Sequence, residues 1–158
     1  MKKIICLLLI GVFGACGSFF SGCSNGTTLT PKEFVQKFVD FELPHDMELE
    51  YKDGAKNMPK ATMYYIFRFQ EEPTEMLKNF APPSEFTNDG EDIFIYGFLV
   101  ELEHMPNVDK NKYPNFDENY LCYQSNSGKT KNGEMLRGNM KFAYFTHEKK
   151  LYTLGGWD

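Results

Sequence analysis

Ala61-Thr62-Met63-Tyr64-Tyr65-Ile66-Phe67-Arg68-Phe69 is the stretch that decides the fold class. In an extended chain successive side chains alternate, so Met63, Tyr65 and Phe67 share one face and Tyr64 and Ile66 the other. Both faces are apolar or aromatic, which predicts a central strand covered on two sides. Ile93 to Leu102 has the same character, with Ile95 and Leu99 set against Phe94, Tyr96 and Phe98. It is predicted as a second central strand.

Upstream, Met47, Leu49 and Tyr51 alternate with Glu48, Glu50 and Lys52 and run into Asp53-Gly54. That is the period of a strand with one wet face and a turn behind it, which suits an edge. Tyr120 to Gln124, Met140 to Thr146 and Leu151 to Leu154 read as three further strands, the last two joined by a tight turn through His147 to Lys150. Two helices flank them. Thr30, Pro31 and Glu33 form a capping signature ahead of Phe34, Val35, Phe38 and Val39, and Pro44 marks the limit of that helix. Pro73 opens a short second helix carrying Met76, Leu77 and Phe80, stopped by Pro82-Pro83. The predicted order is α-β-β-α-β-β-β-β: an α+β domain with a twisted antiparallel sheet of about five or six strands, an N-terminal helix and one short helix packed on it.

The chain starts Met1-Lys2-Lys3, continues through an apolar run from Ile4 to Phe13 and reaches Ser21-Gly22-Cys23. A positive start, an apolar stretch and small residues before a cysteine mark an export signal, and the arrangement resembles the lipobox of bacterial lipoproteins. The resemblance covers residues 1–23 only. It implies a signal peptide over 1–22 that is removed, acylation of Cys23, a lipidated tether over 23–29 and a single globular domain over 30–158. It also implies a lipid-anchored location on the bacterial cell membrane or outer membrane, facing outside the cytoplasm. Phe13-Gly14-Ala15-Cys16 is a second candidate of the same form. An uncleaved span would need ~20 apolar residues, whereas this run is shorter and broken by Gly11, Gly14, Gly17 and Ser18.

Loss of Lys2 and Lys3 with the signal leaves 15 basic residues against 22 acidic ones, a formal charge of −7. Such a surface repels nucleic-acid phosphates and anionic lipid heads, so no nucleic acid is expected as a partner and attachment to a membrane falls to acyl chains. Of the four cysteines, Cys6 and Cys16 leave with the signal and Cys23 takes lipid, which leaves Cys122 alone in an apolar run. It is expected to be a buried, inert thiol.

Motifs that carry chemistry fail on inspection. Gly128-Lys129-Thr130 ends like a phosphate-binding loop, but Tyr123 stands where its first glycine is required. His147-Glu148 starts a zincin-like string, but Leu151 occupies the place of the second histidine. Neither a cofactor nor a metal site is predicted. Glu101 and Glu103, two apart on the expected strand and next to His104, are the best acid-base candidates, with a wet strand end as the plainer reading.

Aromatics are in excess, 22 in the mature chain once Phe13, Phe19 and Phe20 are removed from 25. Tyr64, Tyr96 and Tyr123 are candidates for a binding platform. Tyr113 and Phe116 sit in a connection from His104 to Asn119, long enough to be functional or disordered. They are the candidate contacts with a protein partner, or else they pin their own loop. Three functions follow as expectations. The first is a non-enzymatic protein-binding module at the envelope, in a narrower form an inhibitor or immunity-type protector. The second is a small envelope glycan hydrolase using Glu101 and Glu103, and the third is a carrier of a small apolar ligand.

Overall fold

A computed structural model describes residues 29–54, 62–85, 90–125 and 138–157. The export signal, Cys16, Cys23 and nearly all of the connection from Ser125 to Glu134 lie outside the described residues.

The first helix, α1 (Pro31–Gln36), starts as its sequence requires. The Thr30 hydroxyl accepts from the Glu33 backbone N–H at 3.3 Å, and the Glu33 carboxylate accepts from the Thr30 backbone N–H at 2.8 Å. Two otherwise orphaned donors are satisfied reciprocally. The Gln36 side chain then clasps the exit, donating to the Phe41 carbonyl at 2.7 Å and accepting from the Leu43 N–H at 3.0 Å.

Five strands follow: β1 (Glu48–Gly54), β2 (Thr62–Arg68), β3 (Tyr120–Gln124), β4 (Gly138–Phe145) and β5 (Lys150–Trp157). They form one antiparallel sheet in the order β1-β2-β5-β4-β3. The fold is therefore α+β with an antiparallel sheet, and β1 lies at an edge. Its register slips between Leu49 and Tyr51, a bulge at Glu50 that twists this edge away from further pairing.

The two faces of the sheet carry separate cores. Tyr65, Phe67, Phe142, Tyr144 and Leu151 pack with Phe34, Val35, Phe38 and Val39, and with Met76 and Phe80 from the short helix α2 (Thr74–Leu77) and the turn after it. On the other face Tyr64, Ile66, Cys122, Ala143, Phe145, Tyr152 and Leu154 meet a third helix, α3 (Gly90–Glu103). Cys122 is fully buried.

The long helix α3 corrects the expectation of a strand over Ile93 to Leu102. Phe94, Phe98 and Leu102 are the buried residues of the segment; a strand would bury Tyr96 on the same face, whereas a helix turns it away from them, and Tyr96 is exposed. The segment is apolar on every side, so strict alternation and helical spacing were both satisfied and only length and context separated them. The expected sixth strand is thus the helix that gives β2 its second cover. Among the described residues no helix is long and apolar enough to cross a membrane.

Candidate functional site

Because α3 is a helix, Glu101 and Glu103 stand roughly 160° apart around its axis rather than side by side. Glu101 turns inward and pairs with Lys141 of β4, whose ammonium also donates to the Gly97 carbonyl at 3.4 Å. Glu103 is exposed. His104, just past the helix end, has Nδ1 2.7 Å from the Val100 carbonyl. The paired carboxylates expected on one strand face are therefore not brought together.

The connection after α3 is folded back onto the core. Tyr113 donates its hydroxyl to the Leu102 carbonyl at 3.1 Å, and Tyr64 donates to the Lys112 carbonyl at 2.5 Å. The half-buried ring of Phe116 lies 5.0 Å from Tyr120 and 5.5 Å from Phe98 by ring centroids, with Phe94 and Phe145 also adjacent. Both loop aromatics thus pack within the second core, and a short turn at Lys110–Lys112 orders the segment between them and α3.

Beside that turn sits a charged hub centred on the β1 bulge. Glu50 receives Arg68 at 2.9 Å, Lys150 at 3.3 Å and Lys112 at 3.8 Å. Burial alone would raise the Glu50 carboxyl, but the hydrogen bonds and charges of Arg68 and Lys150 outweigh it and hold the group below its ordinary value. Lys150 continues to Glu148 at 3.5 Å, which accepts the Tyr152 hydroxyl at 2.9 Å. Every charge here has a partner of opposite sign, so the hub ties β1, β2, β5 and the loop together.

Two open depressions are formed by described residues. One, about 630 Å³, is lined by Asp117, Glu118, Asn119, Thr146 and His147. The other, about 460 Å³, lies between Glu42 to His45 and Glu72 to Met76. Neither is lined by the aromatics that an apolar-ligand carrier would use. Among the described residues no group of three or more His, Cys, Asp or Glu side chains is placed to hold a metal ion.

The outward side of α3 is the unusual surface. Tyr96 is 71% and Ile93 67% exposed, and the half-buried Leu99 and Val100 continue the same arc. These residues fall at i, i+3, i+6 and i+7, one side of a helix. The outward face of a surface helix is normally polar, so large apolar side chains grouped there stand out. Of the three tyrosines singled out as a platform, Tyr64 is buried, Tyr123 packs on Phe41, Phe80 and Phe142, and Tyr96 alone is exposed. Ile93 and Val100 escaped the sequence reading because a strand places neighbours on opposite faces; reading the same run at helical spacing brings them together.

No protein family, curated protein or solved structure matches this chain.

Proposed function

We propose that the chain is a bacterial envelope lipoprotein, acylated at Cys23, whose domain is a non-enzymatic protein-binding module of the inhibitor or immunity type. One observation carries the binding reading: α3 leaves the large apolar side chains Ile93 and Tyr96 in solvent, on an arc continued by the half-buried Leu99 and Val100. Large apolar side chains grouped on one exposed face mark contact surfaces, and tyrosine suits them because its ring is apolar while its hydroxyl stays hydrated.

The anchor and this surface are compatible in space. The six residues Ser24 to Leu29 reach ~20 Å at most, so a lipid on Cys23 holds the domain near the bilayer. The tether enters at α1, which packs on one face of the sheet, whereas α3 covers the opposite face.

The test uses the full chain expressed in a bacterium. Wild type should fractionate with membranes and, after detergent extraction, retain a stoichiometric protein partner. Cys23→Ser should move the chain to the soluble fraction, and Ile93→Ser with Tyr96→Ser should abolish retention of the partner while leaving the circular dichroism spectrum unchanged. Partner retention that ignores the α3 pair, or membrane retention that ignores Cys23, would sink the corresponding half of the proposal.

A further inference from the structure

The outer face of α3 also carries the sign of its partner. The 14 residues of α3 include Glu91, Asp92, Glu101 and Glu103 but no lysine or arginine. Lys141 neutralises Glu101 on the inner side. Asp92 and Glu103 are both exposed, and at about 100° per residue both fall on the arc of Tyr96, one at each end of the apolar patch. The surface is a hydrophobic ridge closed at its two ends by carboxylates, on a chain whose mature charge is −7.

That pattern discriminates among occupants. A second copy docking α3 on α3 would set Asp92 against Glu103 when antiparallel, or each against itself when parallel, and like charges across an interface disfavour pairing. An anionic lipid surface meets the same repulsion. We infer that α3 seats as a helix in the apolar groove of a different protein whose groove ends are lined by lysine or arginine. This rests on the protein-binding reading and adds the chemistry of the partner. The ridge supplies the anchors at i, i+3 and i+7, as helix-in-groove recognition requires, and the two carboxylates set orientation and encounter rate.

The experiment places a benzoylphenylalanine photocrosslinker at position 96 of the full chain and irradiates intact cells. The expected product is an adduct with another protein at a peptide rich in Lys or Arg around an apolar stretch. Asp92→Lys with Glu103→Lys should cut the adduct about tenfold, and the neutral pair Asp92→Asn with Glu103→Gln by an intermediate amount. In isolated envelopes, raising salt from about 50 mM to about 500 mM should also lower it. A protein adduct indifferent to both charge changes and salt would overturn the basic-partner inference while leaving the binding module standing. So would an adduct with a second copy or with another segment of the same chain. No protein adduct from position 96 or from position 93 would overturn the binding reading itself.

Discussion

Lys141 and Glu101 form an ion pair under α3 that joins a central strand to the helix covering it, with 10% of the lysine side chain and 36% of the glutamate exposed. Removing the less buried partner strands the more buried charge. Glu101→Ala leaves the ammonium with the Gly97 carbonyl as its remaining described acceptor, and is expected to cost about 2 kcal/mol, below the ~3–5 of a fully buried pair because water reaches this edge. Lys141→Met keeps the apolar stem and leaves a carboxylate that can turn to solvent, so it should cost less than about 1 kcal/mol. Urea midpoints for the two variants check the order; equal losses would mean that the lysine charge is not the stranded one.

Two glycines should respond in opposite directions to alanine. A Cβ on Gly155, which has φ +141°, would stand 2.2 Å from the Asn139 carbonyl oxygen and 2.7 Å from the Met140 Cα, backbone atoms of the paired strand β4. Gly155→Ala is expected to cost at least about 2 kcal/mol, from strain and from displaced pairing. A Cβ on Gly97 would meet Lys141 Cε at 3.5 Å, an ordinary contact, inside a helix where alanine is favoured over glycine by ~0.8–1 kcal/mol. Gly97→Ala should therefore raise the melting temperature by about 3 °C, measured by calorimetry.

These two contrasts depend on α3 being a helix, which is where the sequence was least legible. Local signals were readable because a few adjacent residues decide them: the Thr30 and Glu33 capping box, the wet alternation that places β1 at an edge, the limits of β3 at Tyr120 and Gln124, the apolar setting of Cys122. Phe94, Phe98 and Leu102 carried a helical spacing, but Ile93, Ile95, Tyr96 and Leu99 filled the other positions with equally apolar side chains and erased it. The Glu101 partner was not readable either, since it lies 40 residues away on another element. The surface of α3 followed the same fate, because a residue's exposure depends on which face its element turns outward.

Alkaline pH should destabilise the domain in a defined window. Burial pushes the Tyr65 hydroxyl up to about 12; burial and then the Glu72 charge push that of Tyr144 to about 12, and Tyr64 and Tyr152 are also raised by burial. Phenols of the unfolded chain ionise near ~10. Between ~10 and ~12 the unfolded state gives up protons that the folded state keeps, so this stability is complete below ~10 and lost as pH rises through the folded values. Urea midpoints should be flat up to about pH 9.5 and fall above ~10, with phenolate absorbance rising as circular dichroism is lost. The Tyr144 hydroxyl is buried without a hydrogen-bond partner among the described residues. Tyr144→Phe should add about 1 kcal/mol at neutral pH and flatten the alkaline slope.

The loop aromatics Tyr113 and Phe116 can be tested as pins of their own segment. Phe116 contributes ring contacts to Phe94, Phe98, Tyr120 and Phe145, joining α3 to β3 and β4 through the loop. Phe116→Ala should cost about 2–3 kcal/mol, under the ~3–5 of a fully buried phenylalanine because the ring is half-buried. Tyr113→Phe removes one hydrogen bond to the Leu102 carbonyl and should cost ~0.5–1.5 kcal/mol. Hydrogen exchange separates pinning from contact. With Phe116→Ala, the backbone N–H of Lys112, bonded to the Asp109 carbonyl at 2.8 Å, should lose protection, whereas that of Tyr65 in the central strand should lose only what the drop in global stability dictates. Under conditions where both variants remain folded, partner retention should persist, because the contact surface is assigned to Ile93 and Tyr96. Loss of the partner with the Lys112 amide still protected would instead make Phe116 a contact residue, and the interaction surface would extend from α3 into the loop.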